Sequence, residues 1–171
     1  TAGSMILAGV LLKLGAYGLI RLVIPLFPEQ ATLTAGILAT LGMLSIVLGA
    51  FAAFGQWDFK RLVAYSSVNH MGFVVLGIAV MAYAYGLPGE VEGLNYSAII
   101  ATNGAVLQMF NHGLSAAGMF FLVGVIYSRT HTRDLKQYGG IWASMPIYGM
   151  ILIFTSMASL GLPGLNGFVG E

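Results

Sequence analysis

Residues 33–54 contain no charged side chain, and their polar groups are limited to the hydroxyls of Thr34, Thr40 and Ser45. At 1.5 Å of rise per residue, a run of this length crosses a hydrocarbon layer of roughly 30 Å. It is apolar on every side, so a water-soluble amphipathic helix does not describe it. Lipid offers the backbone no hydrogen-bond partner, which leaves the α-helix as the expected conformation. Four more segments have the same character, at about 5–25, 62–83, 98–127 and 145–171. The expected fold class is all-α: a polytopic transmembrane helix bundle of five membrane-spanning segments forming one domain over 1–171, with the last segment broken.

Composition agrees with that solvent. Hydrophobic residues make up 58% of the chain and charged residues 8%, with a net charge of +1. The few basic residues are scattered, which argues against a nucleic-acid partner. There is no cysteine, so disulfides, thiolate metal sites and thiol nucleophiles are excluded. Thr1 is not an initiator residue and the chain stops at Glu171 beside a Gly/Pro-rich stretch, so an internal piece of a longer protein is expected. Lys60 and Arg61 lie in one connection and Arg129, Arg133 and Lys136 in another, while the alternate connections hold Glu29, Glu90 and Glu92 with Arg21 as the nearby cation. The positive-inside rule therefore places Thr1, Phe59 and Arg133 on the cytoplasmic side. Gly36, Gly42, Gly49 and Ala53 read as a small-residue stripe for close helix packing.

Once the charges in the connections are set aside, Lys13, His70, His112 and Glu171 remain. A lysine in the middle of a lipid-bounded helix costs at least about 2.5–3.5 kcal/mol, so an intramembrane ionisable group points to function. Lys13, His70 and His112 fall near the middle of their spans, and imidazole and amine groups held at one depth could pass protons laterally. Ser66, Ser67 and Asn69 accompany His70, and Gln108, Asn111 and Ser115 accompany His112 on its helix. A serine hydrolase is not supported, because His112 and Ser115 have no third orienting group and no oxyanion hole. A haem held by two histidines is likewise a poor reading of so sparse a set. Gly161, Pro163 and Gly164 should break the last helix, and broken membrane helices are tolerated where they line a cavity.

Four separated blocks carry a resemblance: "TAGSMILAGVLLKLGAYGLIRLVIPLFPE", "DFKRLVAYSSVNHMGFVVLGIA", "NHGLSAAGMFFLVGVIYSRTHTRDLKQYGG" and "MASLGLPGLNGFVGE". Together they resemble the antiporter-like, proton-pumping subunits of respiratory complex I, the NADH:quinone oxidoreductase. The resemblance covers the whole chain. It implies a fourteen-helix subunit of which this chain is the stretch from the eighth helix to the broken twelfth. It also implies that Lys13, His70, His112 and Glu171 form a proton relay along a central hydrophilic axis, with Glu171 at its end. The implied setting is an energy-transducing membrane such as the bacterial plasma membrane. Neighbouring antiporter-like membrane subunits and the lipid bilayer would be the partners, and no cofactor or metal would reside in this chain. Multisubunit sodium/proton antiporter and membrane-bound hydrogenase subunits share much of the pattern and form the alternative. A structural membrane spacer is the further one.

Overall fold

The computed structural model describes residues 2–85 and 93–170; Glu90, Glu92 and Glu171, all singled out from the sequence, lie outside the described residues. The described chain is helical. Four helices are long and apolar enough to cross a membrane: α1 (Ala2–Leu26), α2 (Pro28–Phe54), α3 (Phe59–Tyr85) and α4 (Leu94–Thr130). A short helix, α5 (Ile141–Ser144), leads into α6 (Pro146–Ser159), which is apolar but has only 14 residues. At 1.5 Å per residue α6 extends about 21 Å, less than the hydrocarbon thickness. Residues 160–170 follow it as a series of turns, with positive φ at Gly161 and Gly164.

α1 is not a uniform α-helix. It contains two five-residue π turns, Leu7–Leu11 and Leu19–Val23, on either side of Lys13. Pro25, which has no N–H to give to the preceding turn, follows the second of them.

Small residues set the spacing of the bundle. A Cβ added to Gly49 would stand 2.9 Å from the backbone nitrogen of Asn69, and one on Gly42 would stand 3.0 Å from that of Leu76, so α2 lies directly against α3. α3 approaches α4 through Gly77, where a Cβ would stand 2.8 Å from the carbonyl oxygen of Ala101. Gly36, expected in the same stripe as Gly42, is exposed and has nothing within 4 Å of the Cβ position. At 100° per residue, the seven-residue step from Gly42 to Gly49 returns to the same helix face, whereas the six-residue step from Gly36 does not. Ala35, seven residues before Gly42, is the buried member instead.

The buried interior has three layers. One apolar cluster includes Ala8, Val63, Ala116, Phe120 and Ile126, and a second includes Ala16, Val74, Ile78 and Ala105. Between them in sequence on each helix fall the buried polar groups: Ser67 and His70 on α3, and Gln108, Asn111 and His112 on α4. The outer faces are strongly apolar, with Leu33 82% and Phe54 91% exposed, the inverse of a soluble protein and suited to lipid or neighbouring helices.

The α2–α3 and α4–α5 connections are clasped together at one end of the bundle. The Phe59 amide donates to the carbonyl of Arg133 at 2.8 Å, the Leu135 amide donates to that of Trp57 at 2.8 Å, and Arg133 pairs with Asp58 at 3.5 Å. Lys136 sits over the Trp57 ring, 4.1 Å from its centroid. The basic connections therefore share a face, as their charge pattern implied. This stretch holds no native cysteine, so single cysteines at Arg61 and Glu29, placed in the full-length subunit after replacement of any cysteine elsewhere in it, can be tested with membrane-impermeant thiol reagents. The Arg61 position should react only from the cytoplasm and the Glu29 position only from the other side; labelling of both from one side would contradict the path of α2.

Candidate functional site

Three helices deliver the ionisable groups of the polar layer to one place. Lys13 Nζ on α1 lies 2.6 Å from Nδ1 of His112 on α4, and it also donates to the carbonyl oxygen of Ala8, five residues back on its own helix. The His112 ring in turn lies beside that of His70 on α3, with centroids 5.4 Å apart and planes inclined by 44°. Lys13 is half-buried, while His70 and His112 are buried. When Lys13 carries its ammonium charge, Nδ1 of His112 accepts and the proton of a neutral ring sits on Nε2.

The contact is possible because α1 and α4 nearly touch beside it. A Cβ on Gly113 would stand 3.1 Å from the carbonyl oxygen of Gly9. Gly9 lies one helical turn from Lys13 and Gly113 is the neighbour of His112, so this approach fixes the reach of the lysine.

A cleft of about 490 Å³ opens beside the two histidines, and its polar wall includes Ser66, Asn69 and Ser115. Asn69 Oδ1 is buried and has no hydrogen-bond partner among the described residues, and the cleft is roomy enough for water to serve it. Ser66 and Ser67 both donate to the carbonyl of Val63, at 2.9 and 3.1 Å, so their hydroxyls are satisfied within α3. Ser67 is buried away from the cleft.

Gln108 and Asn111 face the turns after α6. The Asn111 side-chain amide donates to the carbonyl of Asn166, and the Asn166 amide donates back to the carbonyl of Asn111 at 3.5 Å. Gly170 seats on Gln108 so closely that a Cβ would stand 2.5 Å from its Oε1. The break at Gly161, Pro163 and Gly164 thus brings residues 160–170 onto α4 within one turn of His112. Several contributors were not singled out from the sequence: the Ala8 carbonyl, Gly9, Gly113, Asn166, and Ser156 and Ser159, which line the cleft from α6. Asn166 had a readable signal as the lone polar side chain in "GLPGLNGFVG". Among the described residues, no group of three or more His, Cys, Asp or Glu could hold a metal ion.

A family model described as NADH:quinone oxidoreductase/Mrp antiporter, transmembrane, matches residues 1–89 and 91–171. The chain belongs to this family. With its apolar helices, this makes it a multi-pass integral membrane protein. Among relatives of the NADH:quinone oxidoreductase/Mrp antiporter family, it is 50% identical to NADH-quinone oxidoreductase subunit M of Pseudomonas aeruginosa over 100% of this chain and 30% of that protein. It is 46% identical to NADH-quinone oxidoreductase subunit M of Escherichia coli K12 over the same shares. It is 50% identical to NAD(P)H-quinone oxidoreductase chain 4 1 of Synechococcus elongatus over 99% of this chain and 29% of that protein. A chain of respiratory complex I from Thermus thermophilus with bound NADH superposes with a TM-score of 0.81 at 33% identity, covering 93% of this chain and 31% of that one. The chain therefore spans about 30% of the length of the curated relatives it matches.

Proposed function

We propose that the chain is part of subunit M of a proton-translocating NADH:quinone oxidoreductase, and that it carries protons laterally through Lys13, His112 and His70 toward Glu171. The observation behind this reading is the 2.6 Å contact between Lys13 Nζ and His112 Nδ1, with His70 the next titratable ring. A proton passing from the ammonium to Nδ1 moves positive charge from α1 to α4. Release from Nε2 then hands it onward, through His70 or water in the adjoining cleft. Two full positive charges in such contact repel one another. Arrival of a proton at one end therefore favours departure at the other.

The driving energy would come from quinone reduction elsewhere in the complex, and this chain would hold no redox centre, cofactor or metal. Neighbouring antiporter-like membrane subunits and lipid would be its partners. The family description also includes Mrp antiporters, so exchange of sodium for protons is the second reading; the identities of 46–50% with subunit M and chain 4 proteins favour the first.

The test uses the full-length subunit in its complex, reconstituted in vesicles. NADH-driven proton uptake should persist when sodium is removed; a strict sodium requirement would favour the antiporter reading. Glu171→Gln keeps size and hydrogen bonding but cannot titrate, and it should block translocation by this subunit in an assembled complex. Full translocation by that variant would remove Glu171 from the relay.

A further inference from the structure

We propose that Asn166 is a positioning residue for proton transfer: its reciprocal amide–carbonyl pair with Asn111 holds the turns of residues 160–170 against α4 beside His112. The proposal rests on the proton-transfer reading above. Asn111 immediately precedes His112 in α4 and is 5% exposed, so its side chain is committed to the interior. Its amide donates to the Asn166 carbonyl, and the Asn166 amide returns a bond to the Asn111 carbonyl at 3.5 Å.

The segment on the other side of this pair has little regular structure of its own. Its backbone bonds are local turns, such as the Leu165 amide to the Leu162 carbonyl at 3.0 Å and the Gly170 amide to the Gly167 carbonyl at 3.2 Å. A helix would hold its place through a continuous ladder; these turns hold theirs through the packing of Gly167 on Ala158 and Gly161 and through a few contacts with α4. Asn166 is also exposed, so its side chain fills no core space, and an apolar residue would serve simple packing in the membrane equally well. An amide returned to the carbonyl beside the relay histidine is what links the turns to the relay. When the Lys13–His112 pair shifts its charge, the turns leading to Glu171 stay docked beside it, and the proton has a fixed path onward.

The experiment compares Asn166→Ala, Asn166→Gln and Lys13→Ala in the full-length subunit within its complex, reading assembly on native gels, electron transfer in uncoupled vesicles and the proton-to-electron ratio. Loss of one such hydrogen bond shifts the docked-to-undocked balance about fivefold. Asn166→Ala should therefore assemble and transfer electrons normally while its proton-to-electron ratio falls. Asn166→Gln, which keeps an amide donor on a longer arm, should recover most of it. A full ratio in Asn166→Ala beside a lowered one in Lys13→Ala would overturn the positioning role alone. A full ratio in Lys13→Ala would overturn the relay reading beneath it. Failure of Asn166→Ala to assemble, or a lowered ratio that Asn166→Gln does not recover, would assign the residue a merely structural part and overturn the proposal.

Discussion

Gly72→Val should leave the membrane with little assembled protein. A Cβ at Gly72 would stand 2.7 Å from Cγ1 of Ile46, 2.9 Å from the carbonyl oxygen of Gly42 and 3.0 Å from the backbone nitrogen of Ile46. Two of these three atoms belong to the backbone of α2 and cannot rotate aside, so even the first carbon of the new side chain must push α2 and α3 apart. Overpacking in a close-packed interior costs about 1–3 kcal/mol when side chains can adjust, and a backbone obstruction belongs at or above the top of that range. The helices also have no hydrophobic driving force to reassociate, because lipid is as apolar as their side chains; close packing itself holds them together. Gly36→Val is the matched control, since nothing lies within 4 Å of its Cβ position. Its level in membranes should stay near that of the unmodified protein while Gly72→Val falls several-fold; equal levels would show that the α2–α3 contact is not what stabilises the bundle.

The glycines of α2 show which part of the fold was readable from sequence. Helix existence followed from apolar runs, because lipid forbids almost every other backbone arrangement, and the common face of the two basic connections followed from charge. The common level of Lys13, His70 and His112 within the bundle followed from counting residues along their helices. The partner of each helix face did not, since it depends on where neighbouring helices touch: Gly36 and Gly42 look alike in sequence, but only Gly42 meets another backbone. The Lys13–His112 contact depended on the Gly9–Gly113 approach, which leaves no periodic signature. The polar residues around His112 looked like one stripe. In the structure they divide, with Ser115 on the cleft and Gln108 and Asn111 on the turns after α6, because a helix face is wide enough to serve two neighbours.

Lys13→Ala should give an assembled complex whose proton translocation through this subunit is lost. Among the described residues, Lys13 is the one lysine, arginine or carboxylate in the layer between the two apolar clusters. Its ammonium touches both the Ala8 carbonyl and His112, and an alanine methyl can reach neither. Assembly should survive, since replacing a half-buried lysine by alanine removes a group that is costly in lipid and leaves the Gly9–Gly113 contact intact. Removing a positioned acid–base group slows proton transfer by roughly 10²-fold or more, and water in the cleft does not replace Lys13 because the cleft lies on the histidine side of the contact. His70→Ala and His112→Ala should be milder, because both rings line that cleft and an ordered water can bridge one missing polar link. The most direct measurement is the proton-to-electron ratio of vesicles carrying the full complex with Lys13→Ala, assembly being verified on native gels. A ratio clearly below that of the unmodified complex, at an unchanged rate of electron transfer in uncoupled vesicles, is the expected result; an unchanged ratio would contradict a proton relay through Lys13 and His112.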